Sequence, residues 1–407
     1  MANTTHPAPK SLAKMKLERT ENTVLPHSFK HFLSKESVIL GVWILLATVA
    51  TYKQYANQSF NNFLIFKYSF LHASQGLNLY QSYPEYGDIN HYGPLFSLLF
   101  APFALLPTFL GMIAWQLSNA FILFTAIYKL PIANLQKAGT AWICTHELLT
   151  SQFSFQSNAG VAGLLILTFI CVENKKDFWA GLFIALGTLI KVYGIVGLAF
   201  FFLSKNKKQF TFGVLFWMSV LIGLPMLPFG YSYIIQSYQD WFHALQEKNT
   251  LNATLNSYQD ISVMGMARRM SGNASLSTAW FILPAAGLLV YPYLQIKKLE
   301  NVPYRLLLLS SLLIFTVIFS SGAESPTYII AFAGVAIWFS QERTNALTIS
   351  LLIFALLLTS FSPSDLFPAY LRENYVRPYA LKALPCFLIW CFIKYQLIFN
   401  HQNTAKI

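Results

Sequence analysis

Charge is what this chain has least of. Only 11% of its 407 residues are Asp, Glu, Lys or Arg, against roughly 25% in ordinary soluble domains. Hydrophobic residues make up 55%, and the mean hydropathy is +0.47. A soluble chain of this length could not hide so much apolar surface in one core, whereas a bilayer solvates it directly. Cysteine is also scarce. Cys144, Cys171, Cys386 and Cys391 lie in apolar stretches and form no CxxC pair, which excludes a disulfide framework or a zinc site of the usual spacing. There is no Walker A loop, GxGxxG turn, HExxH or GxSxG. A Rossmann domain holding a nucleotide sugar has no room here. No metal-ligand cluster is visible, and the chemistry considered below calls for neither metal nor cofactor.

The first 36 residues lack the apolar core of a cleaved signal peptide. They are polar and basic, and read as a largely disordered cytoplasmic tail. Residues 399–407 read as a second cytoplasmic tail. Between them, residues 37–398 read as one all-α, polytopic transmembrane domain with about ten to thirteen membrane helices. Spans are expected at 37–56, 93–106 with 108–128, 138–154, 159–172, 178–190, 191–203, 210–229, 278–296, 304–320, 326–340, 345–361 and 378–398. Several are shorter than the roughly 20 residues of a straight crossing. The segment 93–106, interrupted by Pro94 and Pro102 and followed by Pro107, reads as re-entrant or interfacial. The pair around Lys191 reads as two half-helices about a bend.

The net charge is +12. In a soluble protein this would suggest nucleic acid. Here it reflects Lys and Arg on cytoplasmic connections, and nucleic acid is not an expected partner. With the N-terminal tail inside, most of the 28 Lys and Arg fall on the inner tails and the short inner turns. The long connections 57–92 and 230–277 then lie outside, together with the turns at Gln156–Asn158, Lys191 and Glu324–Pro326. A site is therefore expected on the outer face, where polar loops sit on a rigid scaffold.

In the first outer loop, Phe63 to Leu79 reads as a helix along the membrane surface. An acidic, Tyr-rich stretch follows, with Glu85, Asp88, His91 and Tyr92. A carboxylate just above the hydrocarbon boundary can act as a general base. Glu85 and Asp88 are equally readable as solvated loop residues. Lys191 lies within an apolar run, where an ionisable side chain marks a functional site unless it snorkels to the interface. Gln156 and Asn158 could bind sugar hydroxyls, or Asn158 could cap a helix. Arg268 and Arg269 suit a phosphate, although one of them could equally pair with Asp260 or with anionic lipid. Glu324 is explained as well by capping as by chemistry. His146 and Glu147 read as structural polar contacts.

The order of these elements resembles glycosyltransferase family 87, polyprenol-phosphate-mannose-dependent mannosyltransferases of the GT-C membrane fold. Gly76–Leu77–Asn78–Leu79–Tyr80 is similar to the family's G-x-(D/N)-(P/L)-Y. Tyr92–Gly93–Pro94–Leu95, with Ala101–Pro102 and Leu106–Pro107, is similar to its proline-rich motif. Gln156–Ser157–Asn158 resembles G-Q-x-N, Gly181 with Lys191 resembles its A-G…K hairpin, Ser257 to Arg269 resembles its N-x-S…R region, and Ser325–Pro326 with Tyr328 resembles its S-P…Y. One position departs. The family's catalytic Asp matches Asn62, which cannot accept a proton.

The resemblance implies a GT-C-like transferase in a bacterial inner membrane, with its site facing outward. It would move a mannose-like hexose from a polyprenyl-phosphate carrier to a hydroxyl of a glycolipid or glycan, with membrane lipids as its surroundings. Either Asp88 or Glu85 replaces the missing base, or another residue aligns with the family's Asp, or the chain is inactive or of different specificity. Lys191, Arg268 and Arg269 face the phosphate, and Asn62, Tyr80, His91, Tyr92, Gln156, Asn158 and Glu324 shape the sugar site. The competing readings are a transporter or flippase for a lipid or small anion, and a structural subunit of an envelope-polysaccharide assembly.

Overall fold

The computed structural model describes residues 31–252, 254, 255, 257 and 259–399. The expectations for residues 1–30 and 400–407 lie outside them. Among the described residues there are helices and turns but no strand, in agreement with the all-α reading. The main helices are α1 (Glu36–Ala56), α2 (Asn61–Ser74), α3 (Pro94–Ala104), α4 (Thr108–Tyr128), α5 (Asn134–Phe153), α6 (Asn158–Glu173) and α7 (Asp177–Lys191). They continue with α8 (Lys207–Gly223), α9 (Tyr231–Asn252), α10 (Val263–Ser271), α11 (Ala279–Val290), α12 (Val302–Ile318), α13 (Tyr328–Gln341), α14 (Ala346–Phe354) and α15 (Ala383–Phe399).

Three helices are long and apolar enough to cross a membrane by length and composition, namely Glu36–Ala56, Thr108–Tyr128 and Lys207–Phe229. Their packing is that of a protein solvated by lipid. Leu45 on α1 and Phe212 and Leu215 on α8 are exposed, which water would penalise and hydrocarbon does not. The buried centre is α12 and α13. Leu308, Leu312, Ile329, Phe332 and Trp338 there have no exposed surface. The chain is a polytopic membrane protein.

Prolines and glycines set the departures from straight spans. Pro94 opens α3 and Pro102 interrupts it. The resulting 11-residue helix rises about 16 Å, half of a bilayer core, as the re-entrant reading expects. Helix α7 ends at Lys191, and after Val192 the chain turns back as a 3-10 segment, Tyr193–Phe202. This hairpin closes on two glycines: a Cβ on Gly194 would lie 2.3 Å from the Gly187 carbonyl carbon. Helix α2 stops at Ser74 rather than continuing to Leu79. Gly76 takes φ +70, and the N–H groups of Gly76 and Leu77 return to the carbonyls of Ala73 and His72 at 3.2 and 3.0 Å. That closure satisfies the last carbonyls of the helix.

The connections segregate to two ends. At the Lys-rich end, Arg305 grips Glu173 at 2.6 Å and Gln136 donates to the Ser340 carbonyl at 2.6 Å. At the other end, Asn62 donates to the Ser154 carbonyl at 2.7 Å and Asn78 to Asp240 at 2.9 Å. Residues 230–277 carry the 22-residue helix α9. Its buried positions Ile234, Ser237 and Trp241 share one face at helical spacing, and that face presses on the loop 77–92.

Candidate active site

Three backbone features bring the site together at the end away from the Lys-rich turns. The first is the break after Lys191. The second is the tight turn Phe155–Ser157 between α5 and α6. The third is loop 77–92, held from above by α9. Trp241 Nε1 donates to the His91 carbonyl at 2.9 Å, Tyr233 to the Leu77 carbonyl at 2.6 Å, and Tyr80 to the Tyr92 carbonyl at 2.9 Å. Gly93 then touches the end of α7. Its N–H reaches the Ile190 carbonyl at 3.4 Å, and a Cβ there would lie 2.1 Å from the Leu189 oxygen. Only a residue without a side chain lets His91 and Tyr92 settle beside Lys191.

Lys191 is the hub. Its Nζ donates to Gln156 Oε1 at 3.0 Å and Asn158 Oδ1 at 2.9 Å. It also lies 5.7 Å from the centre of the Tyr92 ring and 5.6 Å from that of Tyr193. Gln156 Nε2 donates in turn to Glu324 Oε2 at 2.8 Å. Two amides and two rings orient the ammonium without cancelling its charge. No carboxylate among the described residues lies within ion-pair distance of it. An ammonium held in this way can still take an anion as a further partner.

The hub opens into a cavity of about 560 Å³. Asn62, Asp88, His91, Tyr92, Gln156, Lys191 and Glu324 line its polar part, and Val192, Ile195, Val196, Phe315 and Phe319 line its apolar part. Asp88 is exposed, and its Oδ1 accepts from the Ile89 N–H at 2.7 Å. Asn61 holds the preceding turn by accepting from the Gly87 N–H at 2.8 Å. The opening of α2 thus positions Asp88 even though its Asn62 carries no carboxylate. His91 has its pKa held below the ordinary value by burial and by Lys248, against the opposing pull of Asp88 and Glu324. Burial pushes the Tyr92 phenol up to about 12, and its oxygen accepts from Ser157 N and Oγ at 3.3 Å.

A smaller cavity of about 290 Å³ shares Asp88, Ile89, His91 and Lys248 with the first. Its other walls include Asn78, Tyr80, Asp240, His243 and Glu247. Asp88 therefore stands where two chambers meet.

Other expected site residues lie elsewhere. Glu85 does not line the main cavity. It faces His72, with 3.9 Å between Oε1 and Nε2. Arg268 is buried against Asp260 at 2.6 Å and donates to the Leu276 carbonyl at 3.1 Å, so it folds the loop instead of facing the cavity. Arg269 donates to the backbone carbonyls of Ser257 and Gln259 and lines a different cavity. Asn158 supports Lys191 without lining the cavity. Glu147, read as a structural contact, pairs with Lys382 at 3.0 Å, and His146 Nδ1 meets Ser360 Oγ at 3.0 Å. Among the described residues no three His, Cys, Asp or Glu side chains gather as a metal-binding group.

Sequence reasoning overlooked Tyr193, Lys248, Asn249 and Asn252 of the main cavity. The last three have a readable signal, since with Leu245 they continue one face of α9 at helical spacing. Tyr193 had none beyond its place after the break.

Among curated proteins none matches the chain. The sequence model of glycosyltransferase family 87 matches residues 90–321, more than half of the chain. That match begins just after Asp88, takes in the Gln156–Asn158 turn and the Lys191 break, and ends three residues before Glu324. The chain belongs to glycosyltransferase family 87 and is a membrane glycosyltransferase.

Proposed function

We propose that the protein transfers a hexose, mannose-like, from a polyprenyl-phosphate carrier to a hydroxyl of a glycolipid or glycan at the outer face of a bacterial inner membrane. The observation that carries this reading is the main cavity, which joins an uncompensated lysine to an apolar wall. A lipid-linked phosphate sugar has the same two halves. Its phosphate meets Lys191, its first isoprenoid units lie along Ile195, Val196, Phe315 and Phe319, and its sugar reaches toward Gln156, Glu324 and His91.

Asp88 is the base in this reading, because it lines both chambers and Glu85 lines neither. The acceptor enters through the smaller chamber, where amide, carboxylate and phenol groups match sugar hydroxyls. Asp88 takes the proton of the acceptor hydroxyl, and that oxygen attacks the anomeric carbon. The bond from the anomeric carbon to the phosphate oxygen breaks, and the lipid phosphate leaves with the electron pair toward Lys191. One displacement inverts the anomeric centre. Arg268 and Arg269, engaged elsewhere, take no part.

The test is a transfer assay. Purified protein receives polyprenyl-phosphate mannose, then the glucose analogue, labelled in the sugar, with membrane glycolipids as acceptors. Label is expected in a product of inverted configuration. Retention of configuration contradicts the single displacement. Absence of product from every donor, with the protein folded, moves the reading to a transporter of the same lipid.

A further inference from the structure

Glu324 lines the main cavity, and its neighbour Ser325 lines a second one of about 360 Å³. Arg269, Arg372, Arg377 and Lys382 converge on this second cavity, at the end of the molecule opposite the Lys-rich turns. Four cations there run against the usual distribution of basic residues.

Their partners do not cancel them. Lys382 is satisfied by Glu147 and Ser325 at 3.0 Å. Arg269 is held by backbone carbonyls, which supply no net charge. No carboxylate among the described residues is within ion-pair distance of it. Arg372 and Arg377 share the Glu373 carboxylate, at 3.0 and 2.7 Å, and Glu373 is about half exposed. Asp365 is 3.7 Å from Arg372 with its side chain open to solvent. The cavity keeps a surplus of positive charge, since its four cations meet only the carboxylates Glu147, Glu373 and Asp365, the last two open to solvent.

The segment that carries three of the four cations also exposes Leu366, Tyr370, Tyr375 and Tyr379. Exposed tyrosines and leucines beside a helix end are typical of the membrane–water interface. Guanidinium groups match phosphate oxygens in forked geometry.

We propose that this second cavity binds a phosphate group, carried either by the headgroup of an anionic lipid or by free phosphate. The site stands apart from the transferase reading, since Arg269, Arg372, Arg377 and Lys382 line neither of the two chambers assigned to that reaction. A phosphate enters between Arg269, Arg372 and Arg377 and displaces the Glu373 carboxylate outward.

Titration calorimetry on the full chain in detergent tests this, with dihexanoyl phosphatidylglycerol as one probe and inorganic phosphate as the other. At least one is expected to bind. Lipid binding alone assigns the site to a headgroup, and phosphate binding alone assigns it to the free ion. Arg377→Ala is expected to weaken binding about tenfold, the loss of one charge-assisted hydrogen bond. Glu373→Gln is expected to tighten it about threefold by removing the competing carboxylate, a gain that misfolding would not produce. No binding of either probe, or affinities unchanged in both variants, overturns the proposal.

Discussion

Replacing Lys191 by Met removes the charge at the hub and keeps most of its bulk. Two of the three ammonium hydrogens already point at neutral amide oxygens, at 3.0 and 2.9 Å, leaving one for the substrate. A hydrogen bond to a charged group contributes about 1.5–3 kcal/mol. The bare Coulomb attraction between unit charges at ~4 Å and an effective dielectric of about 20 is ~4 kcal/mol, which sets the ceiling. Lys191→Met is therefore expected to lower kcat/KM for the donor by about 10- to 150-fold. Gln156 and Asn158 hold each other at 2.8 Å without the lysine, so the turn should persist. Steady-state kinetics with the donor varied and the acceptor saturating would read this, with thermal unfolding as the check on folding. A folded variant that loses less than threefold refutes the role of Lys191. So does a loss confined to the KM of the acceptor.

Three further outcomes follow from the same structure. Lys382→Met strands the fully buried Glu147, so a loss of about 3–5 kcal/mol in stability is expected; thermal unfolding should show most of it recovered in the double variant with Glu147→Gln. Gly93→Ala places a methyl group 2.1 Å from the Leu189 oxygen and should cost about 1–3 kcal/mol; transfer activity should fall with it because His91 and Tyr92 move, and an unchanged unfolding temperature would contradict the contact. His91 is held below its ordinary 6.5 by burial and Lys248, so the unfolded chain binds its proton first. Stability is then lost as pH falls from 6.5 toward the folded value, and His91→Gln should flatten that part of the unfolding-temperature profile.

Much of the fold was readable because local chemistry dictated it. Pro94 and Pro102 mark a helix too short to cross, and a lysine amid apolar residues marks the bend where α7 ends. Gln156, Asn158 and Lys191 were each singled out on their own chemistry, and the fold joins them in one hydrogen-bonded cluster. What the sequence did not disclose were pairings set by tertiary packing. Glu147 and Lys382 meet across 235 positions, and no local pattern announces it. Arg268 and Arg269 have the right chemistry for phosphate; Asp260, eight positions earlier and already readable as a partner, claims the first, while backbone carbonyls that no pattern announced claim the second. Between Glu85 and Asp88 spacing could not decide. Asp88, next to the Gly87 that Asn61 anchors, lines both chambers, and Glu85 lines neither.

Asp88, at the junction of the chambers, is the residue whose proposed role as base matters most. The direct measurement is transfer from labelled lipid-phosphate sugar by the wild-type protein, Asp88→Asn and Glu85→Gln, each shown to be folded. Asp88→Asn is expected to lose about 100- to 10,000-fold in kcat, the range for a general base, while Glu85→Gln stays within a few-fold of wild type. A folded Asp88→Asn protein that transfers sugar at the wild-type rate would contradict that role.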